Sequence, residues 1–476
     1  MLSSSASLCY NNRMKPIITE QSFYKYLKCP SWIARELKNE GQFQEALIEK
    51  LQTEGLLREH ELELLRDRNI SEVVSEDMDE AALETLTLMK KGAETIYKGV
   101  LVHGHWVGRP DVLEKVEGRS NFGNWYYVAS DIKRSSQLKT EYKFQGVFYA
   151  QILRKLQGVR PVNGYVIHAN GVVDSYLIND FYTEFHLTLD SIQEILDGED
   201  KPHFLTSGCK QSPWFSECMG DSESCDSLSV LNRIWRNEAH SLEDAGIDTV
   251  SKLASVKSEV LKKVRGVSLD RLYFLQQQAI SLLDKQIIRI GDIDLPNEDG
   301  VVLIIDIESD SLRDVDFMFG VLVVDGANET YHVFTAETPE DEASTWRDFL
   351  SFIGEYAGAN IYHYGWYEVD RFRQLSAKYG VTEVAERMFS ENMIDLLGRL
   401  RGSIIFPSPF YSLKDVAKHL GFKWRAGEVT GVDSIIWYEK WLNESDQQAL
   451  QDIIDYNEDD VRATWYVIKW VKENLM

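Results

Sequence analysis

Two sets of residues in this chain have side chains that can do chemistry together. The first is Asp111, in Gly108-Arg109-Pro110-Asp111, with Asp131 and Lys133, in Asp131-Ile132-Lys133. Two carboxylates supply hard oxygen ligands for Mg²⁺ or Mn²⁺, and an ammonium beside them steadies an attacking water or a developing negative charge. Phosphodiester hydrolysis needs that grouping. Gln145 and Tyr149, four residues apart, share one face of a helix and are placed to grip a phosphate. His60, in the charged amphipathic run 51–68, is the expected further metal ligand. The second set opens with Asp306 and Glu308, two residues apart at the end of a nearly continuous apolar run, and therefore on one face of a strand. Tyr456 and Asp460 share a helix face further on. Between them stands Glu368, in His363-Tyr364-Gly365-Trp366-Tyr367-Glu368, while Asp395 reads either as a further acid or as a strand end.

The elements that must position these groups follow from pattern. Runs 112–116 and 125–133 are rich in β-branched and aromatic residues, with a turn over 117–121, which predicts a hairpin that sets Asp111 beside Asp131. Residues 140–156 read as the Gln145/Tyr149 helix. Upstream, 18–38 has apolar positions at helical spacing, 83–96 is helical, and 97–102 is a strand leading into the site. Strands over 164–168 and 174–178 and a helix over 182–197 complete an α/β domain. Residues 201–226, rich in Ser, Cys, Pro and Gly, read as a loop leaving it. Gly246 and Gly266 each lie between two apolar helical patterns, as a tight helix-to-helix turn requires, with Lys257, Lys262, Lys263 and Arg265 nearby. Beyond a linker at 291–300, strands over 301–308, 317–324 and 331–335, a helix over 342–356 and a strand over 360–364 predict a second α/β domain. Three domains result, 14–225, 226–290 and 291–476.

Gly-Arg-Pro-Asp, then Asp-x-Lys twenty residues on, then Gln-x-x-x-Tyr resembles the RecB-like branch of the PD-(D/E)xK nucleases. The resemblance implies catalytic roles for Asp111, Asp131 and Lys133, helix roles for Gln145 and Tyr149, and a metal-ligand role for His60. Some nucleases of that branch carry an iron–sulfur cluster on one early and three late cysteines, which here would be Cys29, Cys209, Cys218 and Cys225, with Ser212 where a Cys-x-x-Cys pair would be completed. The turns at Gly246 and Gly266 resemble helix-hairpin-helix modules, which hold DNA phosphates through backbone N–H groups without reading sequence. Asp-x-Glu early and Tyr-x-x-x-Asp late resemble the DEDD exonucleases of the ribonuclease-H-like fold, whose four acids hold two Mg²⁺ roughly 4 Å apart. On that resemblance Asp306, Glu308, Glu368 and Asp460 are metal ligands and Tyr456 is catalytic. The sequence departs from the family's His-Asn-x-x-Phe-Asp, with Tyr364 in the asparagine slot and Glu368 in the aspartate slot.

The formal charge of −25 argues against broad adhesion to a polyanion, so contact with nucleic acid must be local. Residues 226–290 hold ten Lys and Arg against eight Asp and Glu, whereas 301–476 hold sixteen against thirty-one. Five scattered cysteines do not make a secreted disulfide scaffold. No apolar run has the length of a membrane span and the Ser-rich start lacks signal-peptide regions, so a cytoplasmic protein is expected. With no Gly-x-x-x-x-Gly-Lys-Ser/Thr phosphate loop, any unwinding would come from a helicase partner. The expectation is a Mg²⁺- or Mn²⁺-dependent nuclease acting on DNA through two sites, in repair or defence. Its rivals are one live RecB-like nuclease beside a non-catalytic ribonuclease-H-like platform, or a non-catalytic nucleic-acid adaptor.

Overall fold

The computed structural model describes residues 16–38, 61–133, 138–168, 171–199, 203–212, 214–296, 300–310, 313–427, 429 and 431–476. His60 lies outside them. The chain forms two compact units, residues 1–204 with 208–218, and residues 205–207 with 219–476. No helix among the described residues is long and apolar enough to cross a membrane.

The first unit opens with β1 (Ile18–Thr19), α1 (Glu20–Lys28) and α2 (Ser31–Lys38). Pattern reading predicts helical continuity over 18–38, but Cys29-Pro30 breaks it. Proline lacks an N–H and pushes the preceding residue out of the helical region, and Cys29 is extended at φ −161° and ψ 118°. Next come β2 (Ile70–Glu72), α3 (Met78–Lys91), β3 (Thr95–Tyr97), β4 (Leu101–His103) and β5 (Trp106–Gly108). The helix expected over 83–96 starts and ends earlier, because Asp77 caps its first turn and Gly92 closes it in the left-handed region. The single strand expected over 97–102 is also two. Lys98 takes a left-handed φ of 56° and turns the chain from one sheet to another.

The hairpin of β6 (Val112–Ser120) and β7 (Gly123–Lys133) forms as expected but is longer, with a register shift between Glu117 and Ser120. It is followed by α4 (Thr140–Gln157), β8 (Asn163–His168), β9 (Val173–Leu177) and α5 (Tyr182–Leu196). The main sheet runs β2-β3-β6-β7-β8-β9, and a small one runs β1-β5-β4. Helices α1, α4 and α5 meet through Phe23, Phe144, Phe148 and Phe185, with Phe23 stacked on Phe185 at 4.7 Å between ring centroids. Burying each ring contributes about 1.5–3 kcal/mol. The stretch expected as a loop over 201–226 contains a helix, α6 (Phe215–Ser224). Trp214, just before it, lies 6.2 Å from Trp32 of α2.

The second unit begins with four helices, α7 (Arg236–Asp244), α8 (Val250–Ser255), α9 (Ser258–Leu261) and α10 (Leu269–Asp284). These belong to the same unit as the sheet that follows, and just before them Asn232 donates to the Pro409 carbonyl at 2.8 Å. After β10 (Ile288–Arg289) come β11 (Val302–Asp310), β12 (Val315–Asp325), β13 (Asn328–Thr335), α11 (Glu342–Gly354), β14 (Asn360–His363), α12 (Tyr367–Tyr379), α13 (Glu383–Glu391), β15 (Met393–Asp395), α14 (Leu396–Arg401) and β16 (Ile404–Ile405). Three helices finish the chain, α15 (Leu413–Leu420), α16 (Gly431–Glu444) and α17 (Gln447–Leu475). The sheet order is β13-β12-β11-β14-β15, antiparallel across the first three strands and parallel across β11, β14 and β15. Both faces are covered, with Trp346, Phe349 and Phe372 on one side and Val461, Val467 and Ile468 of α17 on the other. That burial explains the nearly unbroken apolar run of β11.

Candidate active sites

In the first unit the hairpin register pairs Val112 with Ser130, so Asp111 enters opposite Asp131. The Ile132 N–H donates to Asp111 Oδ2 at 2.9 Å, and the Asp111 N–H reaches Asp131 Oδ1 at 3.4 Å. Lys133 shares a strand face with Asp131, and its Nζ lies 3.0 Å from Asp131 Oδ2. Burial works against both charges. It raises Asp131 above the usual carboxylate range, aided by Asp111 and opposed by Lys133, while the two aspartates outweigh burial at Lys133 and hold its ammonium protonated. From α4, the Tyr149 hydroxyl is 3.3 Å from Asp131 Oδ2 and 3.4 Å from the Arg109 carbonyl. Gln145 is buried one turn earlier, and its Oε1 has no hydrogen-bond partner among the described residues.

Three further residues complete this cluster. Glu20, at the start of α1, accepts the Arg109 N–H at 3.2 Å, and burial pushes its carboxyl up to about 7, with Asp131 adding to the rise. Lys98 Nζ lies 2.6 Å from Asp111 Oδ1 and 2.7 Å from Glu61 Oε2. Glu61 also accepts the Tyr97 hydroxyl at 2.6 Å. Sequence reasoning missed all three. An acid in the first turn of a helix is ordinary, and nothing local marks Lys98 except its place at a strand break.

In the second unit Asp306 and Glu308 project from one face of β11, and Asp460 reaches them from α17. One carboxylate oxygen from each lies within 4.8 Å of the other two. Strand β11 shifts register against β12 between Glu308 and Ser309, and a bulge at a strand end re-aims side chains. Burial raises all three acids: Asp306 well above the carboxylate range, with Glu308 and Asp460 adding to it, Glu308 up to about 8 and Asp460 up to about 6.

Each carboxylate is held by a neutral donor. Asn457 Nδ2 donates to Asp306 Oδ2 at 2.8 Å, the Ser434 hydroxyl donates to Glu308 Oε2 at 2.7 Å, and Trp424 Nε1 donates to Asp460 Oδ1 at 2.6 Å. Room for Asn457 comes from Gly320, opposite Asp306 on β12, where a Cβ would stand 1.6 Å from Asn457 Oδ1. Asn457, Ser434 and Trp424 went unread in the sequence, since neutral donors carry no pattern. Asn457 alone had a pointer, its place beside Tyr456 and the Tyr-x-x-x-Asp pair. Tyr456 is nearly buried and hydrogen-bonds Asp460.

Glu368 lies outside this mutual set. It is 4 % exposed, and its charge raises Asp306. Its Oε2 stands 3.5 Å from His363 Nδ1, and neither atom has a hydrogen-bond partner among the described residues. Asp395 takes the second of its two sequence readings: it caps α14, accepting the Gly398 N–H at 3.0 Å and the Gly365 N–H at 2.9 Å.

Gly246 and Gly266 both adopt left-handed backbone, at φ 81° and 82°, immediately after α7 and before α10 respectively. The Ile247 and Gly246 N–H groups close α7 on Leu242 and Glu243, while Lys262, Lys263 and Arg265 are exposed. Cys29, Cys209 and Cys218 are buried in the first unit, Cys29 with its Sγ 3.1 Å from Ser31 Oγ, whereas Cys225 is exposed and belongs to the second.

Residues 303–472 match a family model described as the RNase_H superfamily. The second unit thus contains an RNase H-like domain, with the three clustered acids inside the matched range. A domain of this kind points to metal-dependent, nuclease-type work on nucleic acid. A comparison with curated proteins returned no match.

Proposed function

We propose that the protein is a divalent-metal-dependent nuclease with two active sites, one at Asp306, Glu308 and Asp460 and one at Asp111, Asp131 and Lys133, hydrolysing phosphodiester bonds of DNA. The observation that carries the reading is the mutual approach of Asp306, Glu308 and Asp460 within 4.8 Å. Three carboxylates so close repel one another, and a structure that holds them together with no lysine or arginine in direct contact among the described residues is suited to a cation. The donor set fits a hard divalent ion: all three ligands are carboxylate oxygens, and the buried, unpartnered Oε2 of Glu368 supplies a fourth acid nearby. Such an ion, when bound, supplies positive charge to the phosphate and acidifies water. The chain's own residues do the rest. Asn457, Ser434 and Trp424 hold the carboxylates in place, and the buried Tyr456 hydrogen-bonds Asp460.

The first site has a lysine in contact with its acid, and Tyr149 orienting that acid from behind. Lys133 would stabilise charge at the phosphate. The exposed Lys262, Lys263 and Arg265, beside the turn at Gly266, would hold the DNA backbone. A cleavage panel of end-labelled single- and double-stranded DNA and RNA with Mg²⁺ tests the reading on wild type, Asp306→Asn and Lys133→Ala. Each variant should remove a different product. Identical products from all three proteins would overturn it.

A further inference from the structure

The acids of the RNase H-like site face a substrate that is itself a polyanion, and the groups that hold Asp306, Glu308 and Asp460 are all neutral. A cation stands beside them that none of the preceding roles uses. Lys414 lies in the first turn of α15 and is half-buried. Its Nζ donates to the Val429 carbonyl and, at 3.1 Å, to the Tyr456 hydroxyl, and it stands 4.4 Å from the centre of the Tyr456 ring. No salt bridge to it is present among the described residues, although the charges of Asp460 and Glu308 act on it, as do Lys418 and Asp433. An ammonium carries three N–H donors. Two go to neutral oxygens and, among the described residues, one is left.

The contact with Tyr456 also has a direction. Because the phenol oxygen accepts from Lys414, its own proton is turned toward Asp460. Lys414 therefore orients Tyr456, and although burial lowers its hold on its proton, Asp460 and Glu308 oppose that shift. A lysine in such a place, unpaired and half-covered, gains most from an anion that arrives with the substrate.

We propose that Lys414 is a phosphate-contacting residue of the RNase H-like site, donating its remaining N–H to a non-bridging oxygen of the phosphodiester bound against Asp306, Glu308 and Asp460. The inference rests on the reading of that cluster as an active site. It assigns the one role the acids cannot fill, attraction of the phosphate.

The test uses the full chain in EDTA, with amine-selective labelling read by mass spectrometry at individual lysines. The probe is a short single-stranded DNA oligonucleotide with phosphorothioate linkages. Lys414 labelling should fall several-fold on adding it. Cleavage in Mg²⁺ then compares Lys414→Met, which keeps the stem without the charge, with Lys414→Arg. Lys414→Met should lose about 10²-fold in rate on the Asp306-dependent product, the size seen when one charge-stabilising donor is removed. Lys414→Arg should recover at least a tenth of wild-type rate, because it restores a cation. Matching melting temperatures would separate these losses from misfolding. Unchanged labelling of Lys414 with the oligonucleotide, or a Lys414→Met rate within threefold of wild type while Asp306→Asn abolishes the product, overturns the role of Lys414 alone. An Asp306→Asn protein that cleaves normally overturns the site itself.

Discussion

Replacing Asp306 by asparagine should make the metal-free protein more stable and the metal-loaded protein inactive. The side chain keeps its shape and still offers an oxygen to Asn457 Nδ2, 2.8 Å away, so packing is little changed. What changes is charge. With carboxylate oxygens up to 4.8 Å apart, a fully ionised pair costs about 3.5 kcal/mol at an effective dielectric of about 20, so Asp306 with two ionised neighbours would cost about 7 kcal/mol. Taking up a proton is the cheaper alternative. Against an ordinary value of 3.8, holding that proton at pH 7 costs about 4 kcal/mol, which sets the ceiling. Asp306 and Asp460 are only partly buried, and solvent reduces the relief to about 2 kcal/mol. For a unit of this size that is a rise of roughly 5 °C in melting temperature.

Differential scanning calorimetry in EDTA measures it, repeated with Mg²⁺. Wild type should gain stability from Mg²⁺ and the variant should gain less. The pH arm has a definite sign. Glu308 is raised to about 8 in the folded protein against an ordinary 4.5, so the native state holds an extra proton between those values. The corresponding stability is present below about pH 4.5 and lost as pH rises through about 8. Metal-free wild type should therefore melt lower at pH 8 than at pH 5, and Mg²⁺ should narrow that difference. A variant that melts below wild type in EDTA, or gains as much from Mg²⁺, would refute the claim that these acids repel one another and await a cation.

Other outcomes follow from the same structure. Gly320→Ala sets a Cβ 1.6 Å from Asn457 Oδ1, so it should displace Asn457, cost about 1–3 kcal/mol by thermal melting and reduce the Asp306-dependent product, whereas Gly326→Ala, in open space but at a left-handed φ, should affect stability alone. Lys133→Ala and Asp111→Ala should each abolish the other cleavage product, with circular dichroism unchanged; persistence of that product in both would remove the first site. Reversing Lys262 and Lys263 to glutamate should weaken DNA binding without sequence preference and flatten the slope of log affinity against log salt, and an unchanged slope in a fluorescence titration would exclude a phosphate grip there. Anaerobically purified protein should be free of iron and sulfide, since Ser212 stands where a Cys-x-x-Cys pair would be completed and Cys225 is exposed while Cys29, Cys209 and Cys218 are buried; brown protein absorbing at roughly 400 nm would refute this.

Much of the architecture could be read from the chain because it is local. A run rich in β-branched and aromatic residues becomes a strand wherever it packs, and so 112–116 and 125–133 pair as a hairpin, while the apolar run before Asp306 becomes the central strand β11. Spacing along one element was equally legible: Asp131 with Lys133, Asp306 with Glu308, and Tyr456 with Asp460 each share a face by strand or helix geometry. Breaks were harder. Pro30 ended a helix where the apolar spacing ran on, and Lys98 turned a strand into two through a backbone conformation that its side chain does not announce. What only the tertiary structure decided is which elements meet. Glu20, Glu61 and Lys98 join the first cluster, and Ser434, Trp424 and Lys414 join the second, from other elements of the chain, while Asn457, beside Tyr456 on α17, reaches across to Asp306 of β11. Glu368, aligned by motif with the other acids, stands apart from their mutual set and faces His363 instead. The physical reason is the same in each case. Periodicity determines the face a side chain takes on its own strand or helix, whereas its partners depend on how close two elements pack, here as fine a matter as the missing Cβ of Gly320.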